Sequence, residues 1–396
     1  MTMKRFFPVV LFFVAAGFFF ASCTPSEKYL KTKLASTGNE KNFIRVLIKI
    51  EDKPFKISSQ EGLRVVDQSN GKIVHEAQKG ILLFYPEKIN KVYLISCNNK
   101  PLYLNESPYR GDFEVRNILG KIYIINIVNI EDYLCSVVPS EMPAGWNIEA
   151  LKAQAIVSRT YTYYHLFKNS SSKKEFDLDA TTNFQVYKGI SAEKDSTTKA
   201  VKETAGIILT YNSEPILAYF HSTSGGKTAD DKYVFSGEDL PYLEGVPCTY
   251  SKDSPHYQWT IELSLKEIEE ALRKKYQRMG KISKISFKKF DDRVSSVEIV
   301  HSNGTINLTG NQFRLLISPE RLRSTFFTAE KRGNVFYIKG RGWGHGVGMC
   351  QWGAKGRAEH GFSYEKILTY YYKDVKLTRI NNNYLAHKRG SGNLVN

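Results

Sequence analysis

Metal-binding signatures are what this sequence most plainly lacks. Its five cysteines form no C-x-x-C pair and its eight histidines no H-E-x-x-H. Neither common zinc arrangement is present, so no metal or other cofactor is expected. Acidic residues are also scarce, 40 against 56 Lys and Arg, leaving a formal charge of +16 that attracts polyanions. No internal repeat and no regular βαβ alternation occurs, which leaves a mixed α+β fold as the expected class. With 42% hydrophobic and 24% charged residues, the chain can build real cores, and wholesale disorder is excluded.

What is present begins with "MTMKRFFPVVLFFVAAGFFFASC". Lys4 and Arg5 precede an apolar run from Phe6 to Phe20, then Ala21, Ser22 and Cys23. The run is too short and wrongly flanked for a good membrane span, and reads as a secretory signal over residues 1–22; a transmembrane anchor is the competing reading. "FASC" resembles a bacterial lipobox with Phe20 in place of the usual Leu. That resemblance implies cleavage before Cys23, acylation of Cys23, and a membrane-anchored lipoprotein in the periplasm or cell envelope. Losing Lys4 and Arg5, with no acid among residues 1–22, takes the charge to +14. For an exported chain the matching polyanions are carboxylate-bearing wall polymers or anionic headgroups, and nucleic acid is disfavoured. The remaining Cys97, Cys135, Cys248 and Cys350 allow three fully paired connectivities.

Residues 23–41 are polar and lysine-rich and read as a tether. From 42 to 130 short runs of Ile, Val and Tyr predict strands at 43–50, 80–85, 91–96 and 121–128, separated by turn signals such as "QSNGK" and "CNNKP". The pattern then becomes helical over 147–168, with Ile148, Leu151, Ala155, Ser158 and Thr162 on one face. Asn147 suits the N-cap and Glu149 the first turn. Strands return over 206–221 with a turn near Asn212-Ser213. A charged helix is expected over 263–278, a hairpin group over 282–310, a last helix over 363–373, and a C-terminal tail over 377–396.

Three stretches carry chemistry. In "VVPSEMPAGW" Glu141 stands between Ser140 and Met142-Pro143, in what reads as a stiff loop entering the 147–168 helix. Cleaving a glycosidic bond needs a proton for the leaving oxygen, and a carboxyl of raised pKa supplies it. Val138, Met142 and Trp146 offer Glu141 partly apolar surroundings that favour its protonated form. From the residues alone, a glutamate that merely caps the helix fits as well. In "HSTSGG" His221, Ser222, Thr223 and Ser224 precede Gly225 and Gly226, whose backbone can turn tightly. No G-x-S-x-G surrounds these hydroxyls, so binding sugar hydroxyls is preferred to nucleophilic catalysis. "GRGWGHGVGMCQWGAKG" has seven glycines in seventeen residues and reads as a loop close to a ligand or another strand. Trp343 and Trp352 can stack on sugar faces, while His345 and Gln351 can hydrogen-bond. A packed loop with buried tryptophans is the alternative. Without a following Lys-Ser/Thr it is no phosphate-binding loop.

"EDYLCSVVPSEMPAGWNIEALKAQAIVSRTY" (131–161), "YFHSTSGGKT" (219–228) and "GRGWGHGVGMCQWGAKGRAEHGFSYEKILTYYY" (340–372) together resemble the SpoIID/LytB family of bacterial cell-wall proteins. The likeness spans about 43–376 and implies a SpoIID-like catalytic region over 131–376. Family members include a sporulation lytic transglycosylase and an enhancer of amidase activity. The resemblance implies cleavage of peptidoglycan glycan strands, denuded of peptide, with Glu141 as the catalytic acid. Arg159 matches a family arginine and is expected to bind a substrate carboxylate or orient Glu141. Tyr187, in the Q-V-Y stretch, joins the substrate-binding set. A non-catalytic wall-binding protein that stimulates a partner amidase is the competing function. Some relatives carry Cys and His before the Q-V-Y stretch that can hold zinc; "KKEFDLDATTNFQVYKG" has neither. Cys135 and Cys350 replace small residues in elements expected to flank one cleft, so the two are expected near each other, bridged or as free thiols.

Overall fold

The computed structural model describes residues 42–380, apart from 99, 169–173, 182–183, 236 and 238. The signal, Cys23, the tether up to residue 41 and most of the tail lie outside the described residues. Within them no helix is long and apolar enough to cross a membrane. The fold is α+β, with seven α-helices and several sheets among the described residues.

Strands account for most of Phe43–Asn129. Phe43–Glu51 and Lys121–Asn129, both rich in Ile, pair antiparallel from Phe43 opposite Asn129. They sit inside a seven-stranded sheet that continues through Asp112–Ile118, Tyr93–Ser96, Leu63–Asp67 and Lys72–Ala77. A four-stranded sheet, Gly80–Phe84, Phe55–Ser59, Leu102–Leu104 and Ser107–Tyr109, shares its core of Ile57, Val65, Ile95, Phe113 and Ile124.

Helix α1, Ile130–Glu141, follows directly, capped by Asn129, whose side chain accepts from the Glu131 N–H at 2.9 Å. This helix departs from the expected loop. Pro139 lies in its last turn, where it has no N–H to donate, so the sequence looked broken where the helix continues. Helix α2, Ile148–Lys168, is capped by Asn147, with Oδ1 accepting from Glu149 N–H at 2.9 Å. It is buried all round rather than on one face, because α1, α3 (Asp195–Glu203), and strand Ile207–Tyr211 pack on it together with later helices.

A separate hydrophobic core lies within residues 258–341. Strands Gln258–Ser264, Val335–Arg341 and Phe327–Arg332 form one sheet; Ile282–Phe290, Arg293–His301 and Gly304–Thr309 form another. Helices α4 (Leu265–Arg273) and α5 (Gly310–Ile317) close the core around Trp259, Leu272, Val297 and Phe313. Gln258 pairs with Arg341, so the unit leaves the chain and returns at one point, as an insertion does. Helix α6, Gln351–Glu359, then begins inside the stretch read as loop, and α7, Tyr364–Tyr371, returns onto α2.

Candidate functional site

Glu141 is the last residue of α1, half-buried and next to fully buried Met142. Burial lifts its carboxyl above the usual range, and the Val186 N–H, donating to Oε1 at 3.1 Å, offsets part of that rise. The negative end of the α1 dipole acts in the same direction as burial. No charged neighbour contributes to the shift. Burial and the helix end thus both favour the acid form of Glu141 over the carboxylate.

Two glutamines fix its frame. Gln351, first residue of α6, donates its Nε2 to the Glu141 carbonyl at 2.9 Å and to Gln154 Oε1 at 3.3 Å. Gln185 accepts from Tyr133 Oη and Thr162 Oγ1 and donates to the Ser158 carbonyl, which pins the segment carrying the Val186 N–H. Gln154 was the legible signal for this network, a lone amide inside the apolar run "KAQAIV". Val186 acts through its backbone, and no residue pattern announces that.

The glycine-rich stretch and the "HSTSGG" segment are laced together. Phe220-His221 runs parallel to Met349-Cys350, the Trp352 N–H donates to the Ser222 carbonyl, and Thr223 and Trp343 exchange two backbone bonds. Ser222, Trp352 and Gln351 therefore connect to Glu141. Trp352 meets Trp146 edge to face at 5.1 Å, both half-exposed. Trp343 lies elsewhere along the stretch, against His256 at 4.2 Å and beneath Arg323. His345 and His221 lie 5.6 Å apart, and Tyr219 and Phe235 flank His345. Tyr219 continues to Tyr161, which lies within electrostatic reach of Glu141. That run of rings was missed in the sequence because its members come from distant segments.

Burial drives His345 down to about 3 and pushes His221 well below the ordinary histidine value by the same cause. Both rings are neutral near pH 7. His221 Nδ1–H donates to the Val347 carbonyl and His345 Nδ1 accepts from the Val347 N–H. Neither is a proton donor for catalysis.

Several expected site residues are structural. Arg159 is fully buried; Nε and Nη2 grip Glu131 at 2.8 and 2.7 Å, and the rest of the guanidinium serves Thr204 and the carbonyls of Val201 and Ile207. It is committed to joining α1, α2 and α3 and has no face for substrate. Tyr187 is buried, donating to Asn126 Oδ1 at 2.7 Å and packing on Tyr133. Ser224 is fully buried against Ser251. Gly225, at φ +76°, has no room for a Cβ, which would stand 2.6 Å from the Cβ of Arg341. Gly226 lies under the Tyr257 hydroxyl. These glycines permit packing rather than sugar contact.

The cysteine expectation is also corrected. All four described cysteines are free and buried. Cys135 belongs to the core between α1 and α2, and Cys350 to another core, where its thiol neighbour is Cys248. Cys350 caps α6, its Sγ accepting from the Gly353 and Ser224 N–H groups at 3.3 and 3.2 Å. Among the described residues, no three His, Cys, Asp or Glu side chains converge as a metal site.

Comparison with known proteins agrees with this architecture. The SpoIID family model, described as Stage II sporulation protein, matches residues 119–211, which hold α1, α2 and Glu141. A domain of unknown function, DUF8618, matches residues 247–348 and so covers the inserted unit. An uncharacterised protein of Brachyspira hyodysenteriae is 38% identical over 278 residues, 70% of this chain and 74% of its own. Stage II sporulation protein D of Bacillus subtilis is 35% identical over 66% of this chain and 78% of its own. A Bacillus subtilis protein named Amidase enhancer is 33% identical over 62% of this chain but only 40% of its own length. The chain belongs to the SpoIID/LytB family.

Proposed function

We propose that this protein acts on the bacterial cell wall as a lytic transglycosylase cutting peptidoglycan glycan strands. The observation that carries the reading is Glu141, a half-buried carboxyl lifted by desolvation with no charged neighbour contributing to the shift. Hydrolases of this chemistry pair two carboxylates, one of which activates water or attacks the sugar. Transglycosylation needs one. Protonated Glu141 gives its proton to the bridging oxygen as the anomeric C–O bond breaks. The muramyl 6-hydroxyl then closes on the same anomeric carbon and returns its proton to the carboxylate. One strand leaves with a free 4-hydroxyl and the other with a 1,6-anhydro-muramyl end, and no water is consumed. Trp146, Trp352 and the Ser222 hydroxyl supply stacking and hydrogen bonding for sugar rings. Peptide-free glycan is the expected substrate, and export with a lipid on Cys23 is supported by the N-terminal sequence.

A second reading, a non-catalytic enhancer of a partner amidase, is favoured by the similarity to the Bacillus subtilis Amidase enhancer. Incubating the purified chain with denuded glycan, and separately with wall and an amidase, tells the two apart. Transglycosylation predicts anhydro ends by mass spectrometry that disappear with Glu141→Gln. The enhancer predicts no anhydro ends, and amidase stimulation that Glu141→Gln leaves intact.

A further inference from the structure

The inserted unit carries a cleft of about 630 Å3 that the chemistry at Glu141 does not use. One wall is the sheet face where Thr260, Lys339 and Thr328 stand in a row across three strands. The other is the tip of the Ile282–Phe290 and Arg293–His301 hairpin, with Lys289 and Asp292. Arg341 closes the end nearest the glycine-rich stretch. Lys289, Lys339 and Arg341 are all exposed, and among the described residues none forms an ion pair with a carboxylate. Three cations and one acid, Asp292, thus line a space of small-molecule size, with Glu330 within electrostatic reach of Lys339.

The floor adds to this field. The Phe326 ring has the Arg341 guanidinium over it at 5.6 Å and the Arg293 guanidinium at 5.1 Å. Arg293 is only 6% exposed; its Nη2 bonds two carbonyls, those of Ser224 and Lys227, and its Nη1 has no partner. Its hydrogen bonds go only to neutral oxygens, and Asp291 on the same hairpin tip offsets part of its charge electrostatically. The cleft is also tied to the "HSTSGG" segment. Lys227 pairs with Asp291 at the hairpin tip, and Arg341 packs on Gly225, one residue before the Gly342-Trp343 turn.

We propose that this cleft is an anion subsite that takes the carboxylates of the wall polymer, beside the strand held at Glu141. Naming a wall carboxylate as the ligand rests on the function proposed above; the anion chemistry of the cleft stands without it. The carboxylate has two sources, the lactyl groups of peptide-free muramyl residues or the ends of stem peptides.

Binding is measured with the full chain carrying Glu141→Gln, so that no strand is cut, and with Lys289→Gln and Lys339→Gln added together. Both lysines are exposed hairpin and strand positions, and matching thermal melts confirm that folding is intact. The expected result is about tenfold weaker binding of denuded glycan on losing both charges, and the same loss for the parent on raising salt. Neutral chitooligosaccharide, with the same backbone and no carboxylate, should bind both forms equally. Competition by free stem peptide against the parent alone assigns the peptide as source; its failure assigns the lactyl groups. Unchanged glycan affinity in the double variant, or an equal loss for chitooligosaccharide, overturns the subsite. So does tighter binding of a phosphate polymer than of either carboxylate source. Because the readout is binding, a chain that never yields anhydro ends can still pass, and an active one can still fail.

Discussion

Arg159→Ala separates a structural arginine from one that binds substrate. The side chain is fully buried and makes five polar contacts, two of them with Glu131. Truncation takes the Arg159 donor from the Ile207 carbonyl and leaves the Val201 carbonyl with only the Thr204 hydroxyl at 3.3 Å, while Glu131 and the buried volume lose their partner. Each unsatisfied buried acceptor costs roughly 1–3 kcal/mol. Glu131 is 33% exposed and still receives the Gly206 N–H, so its loss of partner is softened by solvent. A total of about 4 kcal/mol follows, within the 3–5 kcal/mol typical of breaking a buried pair. Domain stabilities are about 5–15 kcal/mol, so the variant should melt far earlier or be recovered mostly unfolded. Arg159→Lys should recover little, because a single ammonium cannot span Glu131 and both carbonyls. The assay is urea unfolding beside glycan cleavage by the folded fraction. Normal stability with a raised KM would refute the argument and return Arg159 to the substrate.

Three further outcomes follow from the same geometry. Gln351→Met keeps the volume of the side chain but removes the donor to the Glu141 carbonyl; the loosened helix end should let water reach the carboxyl. The alkaline limb of the pH–rate profile should then move to lower pH with kcat falling more than KM rises, and an unmoved limb contradicts the role. Burial raises the Glu141 pKa in the folded chain, so its contribution to stability is full while it is protonated and is lost as pH rises through the folded value. Glu141→Gln should accordingly melt higher than wild type at pH 7, the gap closing below about pH 4.5; a constant gap across pH would argue against desolvation. A thiol-reagent titration of the chain cut to residues 24–396, which leaves out Cys23, should find Cys97, Cys135, Cys248 and Cys350 unreactive when folded and four thiols on unfolding; fewer than four would mean a disulfide.

How much was legible depended on what kind of signal each feature leaves. Strands such as Phe43–Glu51 and helix α2 announce themselves by local pattern, and Asn147 announces its cap. Helix α1 was hidden by Pro139, whose local meaning is a break and whose missing N–H costs the last turn one hydrogen bond without ending the helix. The placement of Glu141 in a loop failed with it, although its half-apolar surroundings did not. Arg159 and Tyr187 were misassigned because a charged or phenolic residue inside a motif looks the same in sequence whether it meets substrate or closes a core. The link from Gln351 to Glu141 spans 210 residues, and Cys350 found Cys248 rather than Cys135 across another long separation. Such pairings are set by tertiary contacts alone. The inserted unit is marked by its own core, by the pairing of Gln258 with Arg341 and by the separate family model over 247–348, none of which the local residue pattern supplies.

The most direct test of the central claim is cleavage of denuded glycan in water enriched in 18O. Transglycosylation predicts anhydro-muramyl ends without label, because the attacking oxygen is the sugar's own 6-hydroxyl. It also predicts that Glu141→Gln slows their appearance by at least about 10²–10⁴-fold, the span that general acid–base catalysis supplies. Labelled reducing ends, or a Glu141→Gln variant as fast as wild type, would contradict it.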